Sequence, residues 1–160
     1  MTVKTPTQNI TIRIIQYLEL KGVTLSKLKK LVKSICRRFK ISRAVINIVI
    51  VDNARIRKLN RRFLNRRNNT DCLSFDLSEK GKNSPVFFEL AVNAELAAIK
   101  AKLLGHRFES ELALYIVHSM LHNLGFNDSC INEAKKMHRT EDRILQQSGF
   151  GAVYNKKDEP

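Results

Sequence analysis

Apolar and polar residues alternate along Ile10-Thr11-Ile12-Arg13-Ile14, the two-residue period of a strand with one buried face. After Gly22 the interval lengthens. Leu25, Leu28, Leu31, Val32, Ile35, Cys36 and Phe39 recur three and four residues apart, which predicts a helix with a single apolar stripe. The β-branched run Ala44 to Val51 reads as a central strand. Asp52-Asn53 can cap the helix that follows, whose buried side is Ile56, Leu59 and Phe63. A polar, cationic loop, Asn65-Arg66-Arg67-Asn68-Asn69, leads into a third alternating segment from Thr70 to Leu77. Lys80 to Pro85 is a turn, and Val86 to Val92 is a fourth strand. Asn93 is a natural N-cap for a helix over Ala94 to Leu104, which Gly105 ends. Two more helices follow, over about 109–124 and about 131–147, the second turning Ala134, Met137, Ile144 and Leu145 inward.

The order β-α-β-α-β-β-α-α-α predicts an α+β fold: a small mixed four-stranded sheet packed with about five helices. The helix over 109–124 is so apolar that it belongs at the centre. No repeat, low-complexity tract or shift in composition marks a boundary, so residues 1–160 form one domain with loose ends at 1–9 and 151–160. A hydrophobic content of 43% is enough for one core. No run reaches the roughly 20 apolar residues of a membrane span, and there is no signal-peptide core, so the expected location is cytoplasmic and no membrane partner is expected. Cys36, Cys72 and Cys130 are odd in number and far apart, which argues against a disulfide framework and predicts small buried side chains.

Charge narrows the partners. Lys and Arg number 29 against 15 acids, a formal charge of +14. Such a field attracts polyanions, and nucleic acid is the commonest in a cytosol. Aromatic residues make up 7% of the chain and Trp is absent, so contact with phosphate rather than base stacking is the expected mode. The cations sit on predicted helix faces, Lys27, Lys29, Lys30, Lys33, Arg37 and Arg38 on the first, Arg55, Arg57, Lys58, Arg61 and Arg62 on the second.

Candidate chemistry lies in Val117-His118-Ser119-Met120-Leu121-His122-Asn123-Leu124-Gly125-Phe126-Asn127-Asp128. Residues four apart share a helix face, so both imidazoles point one way. Gly125 can end the helix and return the chain, bringing the Asp128 carboxylate near the rings. Two nitrogens and an oxygen make the ligand set of a catalytic zinc site with an open position. The plainer reading is a hydrogen-bonded core histidine with Asp128 as a helix cap. Zinc peptidases carry Glu just after the first histidine; here that position is Ser119, which argues against peptidase chemistry. His106 and His138 read as surface residues.

Two blocks carry a family resemblance. Leu59-Asn60-Arg61-Arg62-Phe63 followed by Thr70-Asp71-Cys72-Leu73-Ser74-Phe75 resembles the LNxxY…TDVLSF block of the YbeY-type endoribonucleases, bacterial rRNA maturation factors. His118 to Asp128 resembles their HGxLHLxGYDH signature. The resemblance implies a metal-dependent, single-strand-specific endoribonuclease that processes ribosomal RNA, notably the 16S 3′ end, and takes part in ribosome quality control. Its partners would be single-stranded RNA and the small ribosomal subunit. It implies one zinc ion per chain on three histidines, of which two map onto His118 and His122. The third maps onto Asp128, which leaves another divalent metal open. The family arginine falls on Leu64, with Arg62, Arg66 and Arg67 close by to substitute. Asn69, Phe88-Glu89 and Ser119 stand where the family carries Pro, Gly-Asp and Gly.

The expected site is therefore His118 with Arg66 and Arg62 for catalysis and His118, His122 and Asp128 for the metal. Arg61, Arg62, Arg66, Arg67, Thr70 and Ser74 would bind RNA. The nucleophile is either metal-activated water or the RNA's own 2′-hydroxyl. A second reading is a non-catalytic, RNA-binding ribosome-assembly factor on the same fold, motivated by the altered arginine and third histidine. A third is a metallohydrolase of small molecules or peptides.

Overall fold

The computed structural model describes residues 7–154. The elements are β1 (Asn9–Gln16), α1 (Leu25–Arg38), β2 (Arg43–Val51), α2 (Asn53–Leu64), β3 (Cys72–Asp76), β4 (Val86–Asn93), α3 (Ala94–Leu104), α4 (Phe108–Asn123) and α5 (Ile131–Gln147). Their order and kinds are those the periodicity predicts. The sheet runs β1-β2-β4-β3. The first two pairings are parallel and β3 pairs antiparallel with β4, so the sheet is mixed.

A period of two sends alternate residues of β2 to opposite faces. Ile46, Ile48 and Ile50 pack with Phe88, Leu90 and Val92 of β4 beneath α1 and α4. On the other face α2 lays Ile56 and Leu59 over Val49, Val51, Leu73, Phe75 and Ala91. Helix α4 is buried nearly all round, from Ser110 to Val117 and again at Ser119, Met120 and Leu121. It therefore needs no single apolar stripe. It packs against β3, β4, α3, α1 and α5, which makes it the central helix.

The caps act as the sequence suggests. Asp52 Oδ1 accepts from Arg55 N at 2.8 Å, and Asn93 Oδ1 accepts from Leu96 N at 3.0 Å. Among the described residues no helix is long and apolar enough to cross a membrane.

Several expectations change. Phe63, expected inward, is 57% exposed: its ring leans on Phe75 at 5.6 Å and lines, with Val49, Leu59 and Leu77, an apolar pocket that is open to solvent. Only Cys36 of the three cysteines is buried; Cys72 is partly buried and Cys130 is exposed at the N-cap of α5. His106, expected at the surface, has a side chain only 5% exposed beside Glu111, and the His138 ring stacks on Tyr154 at 4.0 Å. Of the ends expected to be loose, 1–6 and 155–160 lie outside the described residues. Asn9 already belongs to β1. Val153 is buried, and its N–H and that of Tyr154 donate to Asp142 Oδ1 at 2.8 and 3.0 Å, so the chain is docked through residue 154.

Candidate metal centre

One turn of α4 separates His118 from His122, and their Nε2 atoms face each other across 2.9 Å. Each ring is held from behind. His118 Nδ1 lies 2.6 Å from Glu141 Oε1 on α5, and His122 Nδ1 lies 3.2 Å from the carbonyl oxygen of Phe126. Gly125, at φ 96°, makes the return that brings that carbonyl round. Gly125 N donates to His122 O and Phe126 N to Leu121 O, closing the helix end with a left-handed residue. Past this turn Asp128 Oδ2 lies 3.8 Å from His118 Nε2 and 3.7 Å from His122 Nε2. The N-cap of α5 is Cys130, so Asp128 faces the histidines instead of capping that helix. Side-chain exposure rises from 16% at His118 to 32% at His122 and 43% at Asp128, so the cluster opens toward solvent on the carboxylate side.

These donors fit a metal ion. A carbonyl oxygen only accepts, and so does an ionised carboxylate, so both Nδ1 atoms carry the hydrogen. Both Nε2 lone pairs then point into the same small space, an arrangement that repels unless a cation or proton lies between them. A tetrahedral ion about 2.0–2.1 Å from each donor sets them about 3.3 Å apart, close to the triangle found here. His118, His122 and Asp128 thus form a group able to hold one ion.

Burial pushes the His118 imidazole toward its neutral form, but the hydrogen bond and charge of Glu141, with the charges of Asp71 and Asp128, outweigh it and raise its pKa above the ordinary value. A second group shares the same ring: ligand atoms of Asp71, Cys72 and His118 lie within 4.8 Å of one another. Burial, then the Asp71 charge, pushes the Cys72 thiol well above its ordinary range, which favours its protonated form.

The other wall of the cleft is the start of β3. Cys72 pairs with Val92, so Asp71 and Thr70 stand at the carboxyl end of β4, where open sheets place their ligands. Asn93, fully buried, braces this wall. Its Nδ2 donates to Asn53 Oδ1 at 2.7 Å and to Thr70 O at 3.1 Å, and its N–H donates to Asp71 O at 2.8 Å. Ser74 lies on the same face of β3 as Cys72, toward α4. Ser119 is buried and donates back to Tyr115 O at 2.8 Å, away from the cluster.

The arginines are placed differently. Arg61, Arg62, Arg66 and Arg67 are all exposed. Arg62 lies over the Phe63 ring at 5.6 Å. The loop after α2 retraces that helix: Arg66 N donates to Asn60 O, Asn60 Nδ2 to Asn68 O, and Asn69 Nδ2 to Asn53 Oδ1. Among the described residues no hydrogen bond or ion pair joins these four arginines to His118, His122 or Asp128. Glu141 and the bracing role of Asn93 escape a reading of the sequence. The signal for Glu141 was an acid in helical register with Met137, Ile144 and Leu145.

A mixed sheet with a buried helix presenting two imidazoles, completed by a carboxylate from its C-terminal turn, defines an α+β protein built around a helix-borne, metal-competent cluster. The family model described as endoribonuclease YbeY matches residues 14–149, and the chain belongs to that family. It is 39% identical over 116 residues to the endoribonuclease YbeY of Caldicellulosiruptor bescii, covering 66% of this chain and 73% of that one. It is 30% identical over 133 residues to that of a Sulfurovum species, covering 81% and 85%. The solution structure of a Thermotoga maritima protein superposes with a TM-score of 0.57 at 23% identity, over 93% of this chain and 100% of that one, and shows the same fold.

Proposed function

We propose that this protein is a metal-dependent endoribonuclease for single-stranded RNA that acts in the cytoplasm on ribosomal RNA. Its substrate would be the 16S 3′ end on the small ribosomal subunit, with a role in ribosome quality control. One divalent ion, zinc on this reading, is held by His118, His122 and Asp128. The pair of opposed Nε2 lone pairs carries the proposal, since each ring is already committed at Nδ1. When bound, such an ion supplies a Lewis acid that polarises a phosphoryl oxygen and acidifies water. Asp128 contributes a formal negative charge that a third imidazole would not. Thr70 and Ser74 shape the wall of the cleft opposite α4. Arg61 and Arg62 on α2, with Arg66 and Arg67 on the loop beyond, bind the RNA backbone and draw phosphate toward the open side. Arg66 or Arg62 offsets the charge that builds on the phosphorus.

One observation favours a second reading, an RNA-binding assembly factor without chemistry: no arginine of the loop is bonded to the cluster. Cleavage of a short unstructured RNA by the protein, beside His118→Ala purified identically, separates the two. Cleavage only by the parent supports the enzyme. Equal background in both, with RNA binding retained, supports the assembly factor.

A further inference from the structure

Glu141 stands where an apolar side chain belongs. Met137, Ile144 and Leu145 form the buried stripe of α5, and Glu141 lies within that stripe, fully buried. A charged side chain in such a position is costly unless paired. Oε1 lies 2.6 Å from His118 Nδ1 and the Tyr154 hydroxyl also approaches the carboxylate, while Oε2 has no hydrogen bond of ordinary length among the described residues. Stability alone gives no reason to keep a carboxylate there, because a buried ion pair is often matched by well-packed apolar residues.

We propose that Glu141 is the positioning residue of the metal centre: it holds the His118 ring in its Nδ1–H tautomer and aims the bare Nε2 at the ion. The inference rests on the metal-site reading above. An imidazole has two nitrogens, and the hydrogen bond made by one decides which carries the proton and which is free to ligate. For His122 the Phe126 carbonyl makes that choice from the next turn of chain. For His118 the acceptor comes from another helix, so α5 must dock on α4 before the first ligand is set. The two rings also differ in strength. A carboxylate behind an imidazole makes its far nitrogen a better donor than a neutral carbonyl does, so His118 is the stronger of the pair. Glu141 touches neither ion nor substrate and acts through His118.

The test uses the full chain, zinc titrated against a competing chelator, and the ¹⁵N resonances of the metal-free protein at about pH 9, where histidine is neutral. Glu141→Leu should weaken zinc binding about 10–100-fold and return the His118 ring to the Nε2–H tautomer that an unconstrained histidine side chain prefers. Glu141→Gln keeps the volume and an oxygen acceptor, so it should retain the Nδ1–H signal and recover most of the affinity. This rescue separates positioning from mere folding, and circular dichroism of both variants reports any loss of fold. Wild-type zinc affinity and an unchanged Nδ1–H signal in Glu141→Leu would overturn the inference while leaving the metal site intact. If zinc binding is absent from the parent, or unchanged in His122→Ala, the metal-site reading itself fails and the inference with it.

Discussion

From a buried position, Asn60 donates through Nδ2 to the carbonyl oxygen of Asn68 across 2.9 Å. That bond gives the cationic loop after α2 a fixed course. Asn65 begins the loop as a left-handed C-cap at φ 53°, and Asn69 ends it against Asn53. Arg66 and Arg67 are therefore carried on a segment tied down on both sides.

Replacing Asn60 by Ala should cost about 1–2 kcal/mol, the net loss of a part-buried hydrogen bond. RNA affinity should fall as the loop loosens, with zinc affinity unchanged. Urea unfolding and parallel titrations of RNA and zinc check the three effects together.

If Arg66 and Arg67 bind phosphate, each releases a counterion, and for single strands each contributes roughly 0.7 to the slope of log K against log salt. The double variant Arg66→Ala, Arg67→Ala should flatten that slope by about 1.4. Fluorescence anisotropy of labelled RNA across a salt series measures it. An unaltered slope would place the RNA elsewhere on this basic surface.

Gly125 holds φ at 96° with open space around it, so an added methyl group meets no atom and any penalty is conformational. Gly125→Ala should destabilise the protein by about 1–2 kcal/mol. It should also weaken zinc binding, since the same turn sets both the Phe126 carbonyl and Asp128. Calorimetric melting and a zinc titration give the two numbers independently.

In metal-free protein the His118 pKa is raised above its ordinary 6.5. The stability this supplies is fully present below pH 6.5 and is lost as pH rises through the folded-state value. Zinc needs the neutral ring, so its affinity should change in the opposite sense, falling as pH drops through that value. Chemical denaturation with chelator, beside zinc titration, each across pH 5.5–8.5 or so, should give curves of opposite slope. Parallel curves would mean that His118 does not govern both.

Much of the fold was legible because burial repeats along the chain with a local period. Ile10 to Ile14, Ala44 to Val51 and the Leu25 to Phe39 stripe each announce their element without help from distant residues. The caps at Asp52 and Asn93 were legible for the same reason, since each reaches a backbone N–H three residues on. Phe63 was misplaced because spacing tells which side of a helix a residue occupies, but not whether the space beneath that side is filled.

The candidate site divides along the same line. The sequence by itself determined that His118 and His122 share a face, that Gly125 ends their helix and that an acid follows, since all of this lies within three helical turns of chain. Only the tertiary structure decided what stands behind His118, because Glu141 is 23 residues away and arrives through the packing of α5 on α4. It likewise decided that Asn93 braces Thr70 across the sheet and that the arginine loop retraces α2. Such contacts depend on how finished elements pack against one another, a relation that local periodicity does not carry.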